Sequence, residues 1–397
     1  MIKILLIFLT TLLFIGCASR PPAPPAEHAQ TLPWGAIDLD VNSTNKCSIV
    51  NSLGKVISQK ATRYSYSQEA VPFDILTLTG GGSRGAFGTG LLLGWTDRGD
   101  IPRFDIVTGI STGAVMAPFI FLGRDELKKV KHFYTKMHTE DVFKESWFDF
   151  LGNGYIMHAE PLKELFRKNF NKEFLDKVAF EHKKGRRLYI GTTNIDTGQL
   201  TVWDMGAIAS SDREDKYERF CDIVYASTAL PIYLPPQYMK VNLEDKDYYQ
   251  MHIDGGIYTQ VFMIGLLVDW DEVLHFKQHA NKNFDVTLYT VANRKYRQRD
   301  LYKPVEQDPL SIIEAYVLTE MDLLFDRSIY RLYHSCKTKG YKFKMATIPE
   351  KMQEIITVPT EFDPQKMTKL FNIGYQFGIT DIKWREKISI DEYDNNR

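Results

Sequence analysis

Phe104-Asp105-Ile106-Val107-Thr108-Gly109-Ile110-Ser111-Thr112-Gly113-Ala114-Val115-Met116-Ala117 is the stretch on which the fold turns. Phe104 to Thr108 is a short buried-strand pattern, and Ala114 onward begins a small-residue helix, so Ser111 sits at a strand-to-helix turn. GxSxG in that setting is what a nucleophile elbow requires. Gly109 and Gly113 relieve crowding on either side of a strained turn, and the Ser111 hydroxyl then projects from the end of the sheet. Alone the motif is weak. Working outward, Phe73-Asp74-Ile75-Leu76-Thr77-Leu78-Thr79 is a second β-rich run, followed at once by Gly80-Gly81-Gly82-Ser83-Arg84-Gly85 and an apolar helical pattern through Trp95. Consecutive glycines adopt φ > 0 and turn bare N–H groups toward an anion, beside the positive end of the following helix dipole. The anion is either a nucleotide pyrophosphate or the oxyanion formed when an ester carbonyl is attacked. No Lys-Ser/Thr ending of a P-loop follows the glycines, which disfavours the nucleotide.

A serine hydroxyl needs a general base within hydrogen-bond reach, normally His in a triad or a lone carboxylate in a dyad. The α/β-hydrolase order of Ser, acid, His would call on His275, His279 or His334, none of which follows a recognisable strand-end loop. Tyr249-Gln250-Met251-His252-Ile253-Asp254-Gly255-Gly256 is different: an extended run ending in an acid and two glycines, placed to face the carboxyl edge of an open α/β sheet.

In this order, Gly80-Gly81-Gly82-Ser83-Arg84-Gly85, Gly109-Ile110-Ser111-Thr112-Gly113 and Asp254-Gly255-Gly256 resemble the signature blocks of patatin-like phospholipases. Ala226-Ser227-Thr228-Ala229-Leu230-Pro231 resembles the small-residue segment that the family carries before its aspartate. The likeness covers roughly residues 73 to 270. It implies Ser111 as nucleophile, Asp254 as base, Gly81 and Gly82 as donors to the oxyanion, and Arg84 as a residue that orients or charge-stabilises the loop. It also implies a three-layer α/β/α sandwich with a central, mostly parallel sheet, and ester hydrolysis on lipids of the phospholipase A or lysophospholipase type. The competing expectations are a His-containing esterase and a catalytically idle lipoprotein that binds lipid or a partner.

Met1 to Gly16 carries one early cation, Lys3, and an apolar run from Ile4 to Ile15 too short to span a bilayer core. It reads as a signal peptide. Leu13-Phe14-Ile15-Gly16-Cys17 resembles the lipobox of bacterial lipoproteins, with Phe14 where an aliphatic residue is more usual. That likeness implies cleavage before Cys17, acylation of its thiol and anchoring in the cell envelope, most often the outer membrane. Arg20 to Ala26 is proline-rich and reads as an extended stalk. Residues to about 70 are weakly periodic, with a β-like piece at Cys47-Ser48-Ile49-Val50. The expected division is 1–16 signal peptide, 17–70 stalk and lead-in, 71–275 hydrolase core, and 276–397 an α/β extension packed on the core.

Composition narrows the class further. With 49 Lys+Arg against 50 Asp+Glu the net charge is -1, so no global field gathers nucleic acid. Four cysteines, Cys17, Cys47, Cys221 and Cys336, form no CxxC pair, and neither metal spacing nor a calcium loop is visible, so no metal or other cofactor is expected. Val142 to Leu151 is aromatic-rich and reads as core packing ahead of a lid. Arg294-Lys295-Tyr296-Arg297-Gln298-Arg299 reads as a solvated basic loop. Pro309 to Cys336 reads as a helix that buries Ile312, Ile313, Tyr316, Val317, Met321, Leu324 and Phe325 on one face. Phe343 to Ile348 and Gln365 to Phe377 read as a last strand and a last helix.

Overall fold

Alternation along one strand, Val71–Leu78, builds two cores at once. Phe73 and Ile75 point to one face of the sheet, Leu76 and Leu78 to the other, and all four are buried. Both faces of that strand are therefore covered, the mark of a central strand in a layered α/β fold. The computed structural model describes residues 20–39, 46–67, 69–145, 154–263, 283–296, 304–349, 352, 355 and 360–388. In chain order the strands are β1 (Ala36–Ile37), β2 (Val71–Leu78), β3 (Ile106–Gly109), β4 (Lys144–Glu145), β5 (Met157–His158), β6 (Arg187–Asn194), β7 (Gln199–Asp204), β8 (Gln237–Leu243), β9 (Lys246–Asp254), β10 (Phe284–Ala292) and β11 (Lys342–Thr347). The helices that matter for the site are α1 (Lys46–Arg63), α2 (Gly85–Arg98), α3 (Thr112–Leu122), α4 (Arg124–Lys136), α5 (Glu160–Asn169), α6 (Lys216–Thr228), α7 (Pro309–Lys339) and α8 (Pro364–Ile379).

The main sheet runs β11-β10-β2-β3-β6-β7-β1, with β9 paired to β6 and β8 to β9. The five strands from β11 to β6 are parallel, and β7, β1, β9 and β8 add an antiparallel flank. Leu76, Leu78, Val107 and Ile190 face α2, α3 and α8, while Phe73, Ile75, Ile106 and Leu288 face α1 and α7. Helices cover both faces, giving the three-layer α/β/α sandwich. The α2–α8 contact is close enough that a Cβ on Gly374 would lie 2.1 Å from the Phe87 carbonyl oxygen.

Several local readings change. Cys47 to Val50 lies in helix α1, whose Leu53, Val56 and Ile57 are buried against the sheet. The residues of the proline-rich stalk from Arg20 onward lie against the domain: Arg20 makes a two-pronged bond to Asp196 at 2.6 and 2.9 Å, and the Tyr249 amide donates to the Pro22 carbonyl at 2.8 Å. In α7 the buried face is Phe325, Ser328, Ile329, Leu332 and Cys336, whereas Ile312 and Tyr316 are 52% and 65% exposed. The helical period holds, but among the described residues Ile312, Ile313 and Tyr316 of its first turns are left exposed, while Val317 and Met321 pack against the core. Residues 1–19, including the signal-peptide run and Cys17, and residues 146–153, 264–282 and 297–303, with Trp147, His275, His279 and Arg297 to Arg299, lie outside the described residues.

Candidate active site

Strand β6 acts as a ruler that brings Ser111 and Asp254 together. β3 runs parallel to it and ends with Gly109 opposite Ile190; β9 runs antiparallel along the same edge and ends with Asp254 opposite Thr192. The two strands approach from opposite directions and stop on either side of Gly191. Ser111, two residues past Gly109, thus meets the end of β9, close enough that its hydroxyl helps to hold the Asp254 pKa down against burial. Both side chains line one cavity.

The elbow is strained in the way its role demands. Ser111 has φ 55° and ψ -126°, a region that non-glycine residues rarely occupy. Its amide donates to the Ser227 hydroxyl at 2.9 Å, and that hydroxyl donates to the Gly191 carbonyl at 2.7 Å. Ser227 therefore ties the elbow to the middle of the ruler. Gly113 is required by contact: a Cβ there would lie 2.3 Å from the Leu78 carbonyl oxygen, so only glycine lets α3 start this close to β2.

Asp254 is 2% exposed. Burial raises its pKa from 3.8 to about 7, against the opposing bonds from the Ser111 hydroxyl and the Gly256 amide, the latter at 2.7 Å. A carboxylate of that basicity is matched to accepting a proton near neutral pH. Gly256 also carries Gln260, whose side-chain amide donates to its carbonyl at 2.7 Å. Gly255 sits where a Cβ would meet the Gly191 carbonyl oxygen at 2.4 Å.

The glycine loop follows β2 at the point where the chain order reverses toward β10, where ligand crevices form in open α/β sheets. Gly81 and Gly82 have φ 156° and 57°, and both line the cavity. Gly80 stands against Ser111, a Cβ there lying 3.5 Å from the Ser111 Oγ, while Gly85 begins α2. The loop is clasped by fully buried Asn293: its amide donates to the Thr79 hydroxyl and its side-chain Nδ2 to the Thr79 carbonyl, both at 3.0 Å.

Two guanidinium groups complete the cavity. Arg84 is buried, its Nε has no hydrogen-bond partner among the described residues, and burial lowers its pKa to about 10. Arg294 is lowered to about 9 by burial and then by repulsion from Arg84; it is ion-paired with Asp322 of α7 and bonded to the Met321 carbonyl at 3.2 Å. Arg294 is thus a cavity residue, not part of a solvated loop. The rest of the wall is largely apolar: Val115, Phe133, Val142, Phe143, Leu162 and Leu230 among others. No histidine is part of it among the described residues; His334 stacks on Tyr330 of α7, and His252 is buried and held neutral, its pKa lowered to about 3. Among the described residues no group of three His, Cys, Asp or Glu is arranged to hold a metal ion.

A serine on a strained strand–helix turn, beside a buried carboxylate and a bare glycine loop, is an arrangement suited to acyl chemistry. The comparisons with known proteins point more narrowly. Residues 76–264 match the family model described as patatin-like phospholipase. Patatin-12 of Solanum tuberosum is 24% identical over 163 residues, 39% of each chain, and Patatin group J-1 of the same plant is 22% identical over 221 residues, 51% of this chain and 54% of its own. The model match spans under half of the chain and is a similarity of that region. The chain spans about half or less of the length of the relatives it matches. Among solved structures it is similar to VipD from Legionella pneumophila at 11% identity (TM-score 0.40, 78% of this chain and 67% of that one), and to human GIVD cytosolic phospholipase A2 at 10% (TM-score 0.29, 79% and 52%).

Proposed function

We propose that this chain is a lipid acyl hydrolase of the phospholipase A or lysophospholipase type, working through a Ser111–Asp254 dyad. The observation that carries the reading is the meeting of Ser111, on its strained turn, with a buried carboxylate whose pKa is about 7, both lining one apolar-walled cavity. Asp254 takes the hydroxyl proton as Oγ attacks the acyl carbonyl. The Gly81 and Gly82 amides receive the developing oxyanion, and Arg84 contributes positive charge where water is excluded. The tetrahedral intermediate collapses to an acyl-enzyme as the alcohol leaves with the proton from Asp254. Water then gives a proton to the same carboxylate and attacks the acyl group, and as the C–Oγ bond breaks Asp254 returns that proton to Ser111 Oγ and the fatty acid is released.

Anchoring belongs to the same proposal and rests on the lipobox resemblance at Cys17. Arg20 is held to Asp196, so only Ala18 and Ser19 lie between an acylated Cys17 and the folded body, a reach of at most about 11 Å of extended chain. An anchored enzyme would therefore work directly at the lipid surface. The test is fatty-acid release from phosphatidylcholine vesicles and lysophosphatidylcholine micelles by the wild type and Ser111→Ala. The proposal expects Ser111→Ala to lose at least about a thousandfold in kcat/KM; equal release by both proteins would refute it.

A further inference from the structure

The cavity at Ser111 shares two side chains with a second cleft. Val115, one helical turn beyond the nucleophile, and Phe133 of α4 line both spaces, and each is 8% exposed. Beyond this partition the outer cleft runs between α3, α4 and α5, walled by Phe119, Val130, Met137, Leu165 and Phe166. Its polar lining, Lys129, His132, Lys168 and Asn169, stands at exposed or half-exposed positions and marks the outer rim.

Size decides what the partition means. The inner cavity has a volume of about 180 Å³, the outer cleft about 320 Å³. A cavity of about 150 Å³ holds one benzene ring, so the inner space takes the ester and a few methylenes, and a long acyl chain overruns it. The apolar space that continues its path lies across Val115 and Phe133. The inner cavity also carries Arg84, Arg294 and Asp322 on its lining, where methylenes gain nothing.

We infer that the outer cleft is a distal acyl-chain subsite, entered across the Val115–Phe133 partition and filled by the far methylenes of a long unbranched fatty-acyl substrate. This rests on the hydrolase reading above. It follows that the partition and the cleft, and not the dyad, set chain-length preference. Each methylene buried there is worth roughly a factor of four in transition-state binding, so blocking even two of them costs a long substrate more than about tenfold.

The test compares kcat/KM for p-nitrophenyl palmitate and p-nitrophenyl butyrate in the same detergent, using the full-length chain. The ratio within one protein cancels differences in the folded fraction. Leu165→Trp, which fills the cleft, should lower the palmitate-to-butyrate ratio at least about tenfold. Met137→Trp, at the half-buried rim, should lower it in the same direction and serves if Leu165→Trp does not fold. Phe133→Ala, which opens the partition, should raise it. A ratio unchanged in both tryptophan variants, with butyrate still cleaved, would overturn the subsite while leaving the dyad standing. Loss of both would be signalled by a wild type whose cleavage of either ester survives Ser111→Ala.

Discussion

Replacing Asp254 with Asn should make the protein more stable above neutral pH even as it removes the base. The carboxyl titrates near 3.8 in an ordinary aspartate and about 7 in the fold. Between those values the unfolded chain has released a proton that the folded chain still holds, so the unfolded state binds fewer protons and stability falls as pH rises. Above about 7 both states are ionised and the loss is complete. At about 1.36 kcal/mol per pH unit the gap amounts to on the order of 4 kcal/mol. Asn is close to the shape of the protonated acid and keeps an oxygen for the Gly256 amide, so it carries none of this penalty. Other raised carboxyls, such as Asp74 and Asp222 at about 6, titrate alike in both proteins and cancel in the difference. Urea unfolding of wild type and Asp254→Asn from pH 4 to pH 9 reads it directly: the two should nearly coincide near pH 4, separate in favour of Asn as pH rises toward 7, and keep a constant gap above it. A difference that stays flat with pH would refute the reasoning, since it would mean the carboxyl is not buried as described.

The same titration predicts the acid limb of the rate profile: kcat/KM should fall about tenfold for each pH unit below 7 and level off above it, as a pH series with a soluble ester would show. Ser227→Ala removes the acceptor of the Ser111 amide and the donor to the Gly191 carbonyl; leaving buried groups unpaired costs about 1–3 kcal/mol each, visible in a denaturation midpoint, together with a drop in kcat. Arg84→Gln should cost about a hundredfold in kcat, with butyrate-ester kinetics as the readout. Gly374→Ala, 120 or more positions from either dyad residue in sequence and placed only by helix packing, pushes a Cβ to 2.1 Å from a backbone oxygen; a destabilisation of about 1–3 kcal/mol should appear in thermal melts without a shift in the acid limb.

The reach of the sequence followed the range of the interactions. The two strand–glycine–helix units and the Asp254-Gly255-Gly256 turn were legible because period, turn chemistry and helix start are local, and the three-layer sheet follows from them. The register along β6 was not legible, although it is what brings residues 109 and 254 to either side of Gly191. Arg294 looked like one cation in a basic loop; its burial depends on Asp322 and Met321 from a helix later in the chain. Asn293 left no signal of its own, because one asparagine after a strand is common and its clasp on Thr79 is made across the sheet. Helix α1 was missed since Ile49 and Val50 suit a strand equally well, and the neighbours that bury Leu53 and Val56 are distant in sequence. Ile312, Ile313 and Tyr316 went wrong for the converse reason: helical spacing marks an apolar face without naming what lies on it.

The most direct test is covalent labelling of the protein with an alkyl fluorophosphonate, followed by peptide mass mapping. An activated hydroxyl at the elbow should give a single adduct on the peptide containing Ser111, absent from Ser111→Ala and strongly slowed in Asp254→Asn. A wild type that stays unlabelled, or an adduct that persists in Ser111→Ala, would contradict the dyad.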